Sequence, residues 1–281
     1  MNWKIATSAL CLLALLPLGA AAQAAESGTE SARARVAQQN VQLFLNPPRT
    51  GLEKTDPELA AMMQKYIYGD IAKQAKLTVR EQQLVTLAVL TTGQHEELLA
   101  RNVRGALHSG VTPLDIRETI YHLAPYIGFP KVLEAMEEVN EVFREEKISL
   151  PLPDQGTTTD ENRLEKGLAF QVATYGDRIN KMRAATPANQ KHLQDDLSAF
   201  CFGDIYTRKS LDLKTREMIT VAAIGTLGND EPQFKAHVRG YLSAGATQDE
   251  VIGVVTVLNP YVGFPRTLNN LRAVNEVFAQ K

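Results

Sequence analysis

The 281-residue sequence predicts an all-α fold made of two tandem helical units. Three observations carry this. Residues 68–90, YGDIAKQAKLTVREQQLVTLAVL, lie without a gap over residues 202–224, FGDIYTRKSLDLKTREMITVAAI. Helix-start signals and helix-stopping glycines recur at matched places in both halves. No stretch reads as a convincing strand, and each half accommodates five or six helices.

The chain opens with Lys4 and the apolar run IATSALCLLALLPLGAAA, followed by the small-x-small sequence Ala22-Gln23-Ala24. This pattern predicts a signal peptide over 1–24 and export to the periplasm or medium. A retained anchor is disfavoured because Pro17 interrupts a run that is already short for a membrane span. The first unit is expected over 36–146, a linker over 147–159 and the second unit over 160–281. The linker stretch ISLPLPDQGTTTD carries two prolines, a glycine and three threonines.

Within the first unit, Thr78 precedes Glu81 by three residues, the spacing of a capping box. The runs that follow in the two units, LVTLAVL and MITVAAI, are apolar on nearly all sides. Composition alone would allow a buried strand, but the cap and the lack of a turn signal favour a buried helix. A polar loop leads to the Val-Arg-Gly helices, which should stop at Gly110 and Gly245. Thr112 with Asp115 and Thr247 with Glu250 predict the next helix starts, and Pro113 suits a first turn. After Pro265, the last helix should present Leu268, Leu271, Val274 and Phe278 on one face.

Loss of the leader would remove Lys4, Cys11 and Trp3, taking the formal charge from −2 to −3 and leaving Cys201 as the one cysteine. No internal disulfide and no Cys-x-x-Cys dithiol chemistry are then available. The charges are well mixed, which argues against nucleic-acid or anionic-membrane partners.

In the second unit, Phe202-Gly203-Asp204-Ile205, Leu211-Asp212 before Arg216-Glu217, and His237-Val238-Arg239 occur in order. They are followed by Gly245-x-Thr247-x-x-Glu250 and Tyr261-x-Gly263-Phe264-Pro265. This series resembles the carboxymuconolactone decarboxylase family, which shares its helical fold with the alkylhydroperoxidase D proteins. The likeness covers nearly the whole mature chain as two tandem family domains forming a pseudo-dimer. It implies a carboxy-lyase acting on a small anionic unsaturated lactone or related carboxylate. It also implies a homo-oligomer: a trimer of this two-unit chain would match the hexamers of single-domain relatives. No cofactor is implied. Ile127 and Val262 stand where some decarboxylases carry cysteine, which leaves the substrate itself open.

The resemblance places the functional glutamate and histidine at Glu217 and His237. The matching first-unit positions hold Gln83 and Asn102, which retain size and hydrogen bonding but do not titrate in the working range. Loss of both members points to a pair that acts together, with the first unit as structural partner. Arg239 and Arg216 are candidates to hold a substrate carboxylate, and Tyr261 is a candidate to line a pocket. Arg104 and Arg239 recur in both units, a pattern that also fits a structural ion pair. His95, His108, His122 and His192 have no counterpart across the repeat and read as structural or exposed. Metal binding is unsupported, since His237 has no second histidine at helical spacing and no cysteine partner. Two rival readings are a non-catalytic exported binding or scaffold module and a peroxidase of the alkylhydroperoxidase type. The latter is disfavoured because Cys201, aligned with Ile67, is a lone thiol in an apolar setting.

Overall fold

The computed structural model describes residues 31–45, 50–228 and 231–280; the expected leader over 1–24 lies outside the described residues. The body of the chain spans 32–281, and every regular element described in it is helical. The first unit opens with α1 (Ala32–Phe44), α2 (Leu52–Thr55) and α3 (Pro57–Gln64). A π-helical stretch, Lys65–Ile71, then runs into α4 (Ala72–Gln74). The unit closes with α5 (Val79–Gly93), α6 (Glu96–His108), α7 (Pro113–His122), α8 (Ala124–Ile127) and α9 (Phe129–Glu145). The second unit repeats the plan, beginning with α10 (Arg163–Tyr175), α11 (Arg178–Ala185) and α12 (Lys191–Asp196). After the π-helical stretch Leu197–Tyr206 come α13 (Leu213–Leu227), α14 (Glu231–Ser243) and α15 (Gln248–Phe278). α15 breaks at Gly263, with φ 76°, where Gly128, with φ 82°, separates α8 from α9, so α15 is the counterpart of α7 through α9.

Local chemistry sets the helix ends. Complete capping boxes form at Thr78 with Glu81 and at Thr247 with Glu250. At Thr112 only half forms. Its hydroxyl accepts from the Asp115 N–H, but the Asp115 carboxylate is taken by Arg80 at 3.0 Å and Ser210 at 3.3 Å. Gly110 and Gly245 stop their helices with φ of 89° and 96°, left-handed values that suit a residue without Cβ.

α5 and α13 are apolar all round because they pack on each other and are enclosed by both units. Leu84, Leu87, Ile219 and Ala222 are fully buried in one core that runs across the repeat. Glu118 of the first unit, also fully buried, accepts from Arg208 of the second at 2.6 and 3.0 Å and from Arg117. The stretch between α9 and α10 is packed down: Ile148 and Leu152 meet the core, and the Leu152 and Pro153 carbonyls accept from Arg117. The Gly-Asp-Ile motif has a structural use in each unit. Asp70 pairs with Arg33 of α1, and Asp204 pairs with Arg163 of α10.

One expected core position is displaced. Leu268 is 59% exposed, while Thr267, Asn270, Val274 and Val277 face inward. Asn270 donates to the Gly225 carbonyl at 3.0 Å, while Leu271, Val274 and Phe278 meet the core as expected.

Candidate active site

α13 and α14 pack against each other, and two side chains meet across them. Glu217 on α13 is fully buried, and His237 on α14 is 8% exposed. His237 Nδ1 lies 2.9 Å from Glu217 Oε2. A Cβ at Gly240 would stand 2.5 Å from that same oxygen, so the glycine one helical turn past His237 makes room for the carboxylate. The equivalent Gly105 serves another purpose. There a Cβ would meet the Phe44 carbonyl oxygen at 2.0 Å, so backbone of the chain just past α1 fills the space.

Hydroxyl groups complete the shell around Glu217. Tyr175 donates to Oε1 at 2.5 Å and Tyr206 donates to the same oxygen at 3.0 Å. Tyr126, from the first unit, lies 2.8 Å from the Tyr206 hydroxyl, and the Cys201 thiol approaches Tyr126 at 3.9 Å. With Tyr206 committed to Glu217, Tyr126 is the donor of that pair, so the tyrosine protons run toward the carboxylate. Burial, and then the charge of Glu217, pushes the Tyr175 and Tyr206 hydroxyls well above their ordinary range, which keeps them protonated as donors. The carboxylate thus accepts from both hydroxyls, and the remaining oxygen faces Nδ1. Paired with an anion, Nδ1 carries the proton and Nε2 is the nitrogen left for a ligand.

His237 lines a cavity of about 600 Å³. Phe202, Ile224, Leu227, Ile179, Met182 and Leu197 supply an apolar part of its wall. Tyr126 and Pro125 reach it from the first unit, so the site is built by both halves of the chain. Gln171, Gln233 and Arg178 add further polar groups to the lining. Arg183 donates to the Ser198 hydroxyl at 3.1 Å, and Ser198 donates to Gln171 Oε1 at 2.8 Å, which leaves Gln171 Nε2 as the donor on the cavity wall. Arg178 stands exposed at the rim, its guanidinium 5.3 Å from the Tyr175 ring centroid.

Of the residues singled out from sequence, Glu217 and His237 come together, whereas Arg239, Arg216 and Tyr261 lie elsewhere. Arg239 donates to Gln280 at 2.6 Å, just as Arg104 pairs with Glu145. Both arginines tie their helix to the end of the last one, and Arg239 does not line the cavity. Arg216 is 1% exposed and directs its donors to the Leu211 and Arg208 carbonyls at 3.1 and 2.8 Å and to His122 Nδ1 at 3.3 Å. Its fork is spent inside the protein rather than on a ligand. Tyr261 lines the first unit's cavity with Gln82, Thr86 and Asn102, and that cavity holds only about 20 Å³. Gln83 and Asn102 do not bond each other. Gln83 Nε2 donates to the Phe44 carbonyl and Asn102 Nδ2 to that of Leu98. His122 is fully buried, with Nε2 2.8 Å from Thr220, and Cys201 is 3% exposed with its thiol pushed up to about 12 by burial.

Tyr175, Tyr206, Tyr126, Gln171 and Arg178 escaped the sequence reading. A signal existed for one of them: Tyr206 aligns with Ala72 inside the gapless block, so it departs with Glu217 in the first unit.

The model of the "Carboxymuconolactone decarboxylase family" matches residues 57–141 and 191–276. The chain is 26% identical over 120 residues to the 4-carboxymuconolactone decarboxylase of Acinetobacter baylyi, covering 42% of this chain and 89% of that one. It is 36% identical over 76 residues to a nitrosuccinic acid decarboxylase of Metarhizium robertsii, covering 27% and 52%. Its fold resembles that of a candidate gamma-carboxymuconolactone decarboxylase subunit from Burkholderia xenovorans, with a TM-score of 0.52 and 20% identity over 90% of this chain and all of the other.

Proposed function

The chain belongs to the carboxymuconolactone decarboxylase family, and from that premise we propose that its second unit is a working carboxy-lyase site with Glu217 and His237 as the catalytic pair. The substrate class is a small anionic unsaturated lactone or related carboxylate. The observation that carries the reading is the buried Glu217–His237 pair set against a cavity in one unit only, with Gln83 and Asn102 apart in the other. In such a substrate the bond to the carboxylate carbon breaks and carbon dioxide leaves. The electron pair moves through the conjugated system onto the lactone carbonyl oxygen. Gln171 Nε2 is the donor on the cavity wall offered to this developing oxyanion, beside the apolar side chains of the same wall. The carbon then takes the Nε2 proton of His237 in its imidazolium form. This leaves the ring neutral with its proton on Nδ1, and solvent recharges it. Glu217 balances the imidazolium charge and fixes the ring's orientation.

The test is carbon dioxide release from a panel of unsaturated lactones and small carboxylates, with His237→Ala and Glu217→Gln as controls. Turnover by the wild type that either variant leaves unchanged would sink the assignment. Binding without turnover across the panel would favour the non-catalytic module. A peroxidase role finds no second thiol near buried Cys201 among the described residues. We also propose export to the periplasm or medium and assembly into a trimer. The first is checked by the mass of the mature N-terminus, the second by light scattering, where a monomer would count against it.

A further inference from the structure

The cavity wall says more about the ligand than the family does. Its volume, about 600 Å³, falls in the range of roughly 300–1,000 Å³ that takes drug-sized ligands, and a six-carbon lactone would leave much of it empty. The apolar lining does not stop at the buried part. Met182 and Leu197 line it while remaining 40% and 38% exposed, so an apolar strip continues to the rim. Arg178 is the one lysine or arginine in the described lining. Among the described residues it has no hydrogen-bond or ion-pair partner and only stacks on Tyr175. Its five donors are therefore available to an incoming carboxylate. The Arg178 guanidinium and the His237 ring lie 5.3 Å and 6.0 Å from the same Tyr175 centroid, so the two groups are no further apart than those two distances together, within reach of one small ligand.

We propose that this site takes a carboxylate bearing an aryl or branched-alkyl body. The carboxylate pairs with Arg178, the body lies along Ile179, Met182, Leu197 and Phe202, and the reacting end meets His237. Arg178 and the Met182–Leu197 strip are then the determinants of specificity. The inference rests on the cavity being the substrate site, but it concerns what binds there rather than whether catalysis occurs.

Calorimetric titration of the purified chain with three probes tests it: 4-phenylbutyrate, its neutral amide, and adipate, a six-carbon dianion without an apolar body. The aryl carboxylate should bind at least tenfold tighter than adipate and at least tenfold tighter than its amide. In Arg178→Gln the acid and the amide should bind alike. In Leu197→Asp, a change at a half-exposed site, the aryl preference should fall about tenfold with the circular dichroism unchanged. Adipate binding as tightly as 4-phenylbutyrate, an acid-to-amide ratio untouched by Arg178→Gln, or no binding of the aryl acid at millimolar concentration would each overturn the proposal. His237→Asn separates the two readings: it should keep the binding preference while losing turnover, and turnover that persisted would count against the catalytic pair alone.

Discussion

Replacing Gly240 by alanine should damage the site far more than the fold. The new Cβ would stand 2.5 Å from Glu217 Oε2, 2.9 Å from its Cδ and 3.3 Å from Tyr175 Cε1. Non-bonded carbon contacts are comfortable near about 3.5–4 Å, so the carboxylate must retreat by about 1 Å. Two tyrosine hydroxyls and His237 hold it where it is, and a shift of that size drags the imidazole with it. A misplacement of about 1 Å lowers catalysis roughly 10²-fold. For stability, two effects oppose each other. Alanine gains about 0.8–1 kcal/mol of helix propensity over glycine, and the crowding costs about 1–3 kcal/mol. The net loss is about 0–2 kcal/mol, which lowers Tm by at most about 8 °C. Gly105→Ala is the contrast. Its Cβ meets backbone, the Phe44 oxygen at 2.0 Å, so it should lower Tm more and affect turnover less directly. Both variants are to be measured for kcat/KM of carbon dioxide release and for thermal unfolding. A Gly240→Ala chain with kcat/KM within twofold of wild type would refute the argument that this glycine exists to seat the carboxylate.

Three other outcomes follow from the same structure. Cys201 should resist iodoacetamide at pH 8, reacting roughly 10³-fold slower than in the unfolded chain, because burial holds its thiol at about 12; stoichiometric labelling of the native chain would contradict this. His122 is held well below its ordinary 6.5 by burial and then by the charges of Arg216 and His237. The unfolded chain therefore binds a proton there that the folded chain refuses. The stability involved is present above about pH 6.5 and lost as pH falls, by up to about 1.4 kcal/mol per unit. Urea unfolding of His122→Gln between pH 6 and 5 should accordingly show a shallower slope than wild type. Finally, Gln83→Glu with Asn102→His, placed in a His237→Asn background, should restore no turnover, because the first unit's cavity of about 20 Å³ cannot admit a substrate; recovered activity would mean that the cavity opens.

What could be read before folding was whatever repeats or departs along the chain. The two capping boxes, the stop at Gly110 and Gly245, and the all-round apolar α5 and α13 are local properties, and each survives into the structure. Glu217 and His237 were legible because both are replaced in the other unit. Arg216 follows the same pattern but is placed differently. It also departs in the first unit, yet its partners are two carbonyls and His122, whose own counterpart is Val257. A buried polar cluster departs as a group whether or not it touches a ligand. The cross-unit contacts of Tyr126 and His122 have a different cause: both belong to the first unit and meet Tyr206 and Thr220 of the second because the halves share a core. Arg178 carries no signal of any kind, being one exposed arginine among many. Only its place on the cavity lining singles it out.

The central claim is that one half of the chain works and the other supports it. The most direct measurement gives the second unit the residue that the first already carries: carbon dioxide release by wild type and by His237→Asn on the same accepted substrate, with matched thermal unfolding. The account predicts a chain that still unfolds cooperatively, less stable by about 1–3 kcal/mol because buried Glu217 loses its His237 contact, and turnover lower by about 10²–10⁴-fold, the usual worth of a positioned general acid. Turnover within twofold of wild type would contradict it.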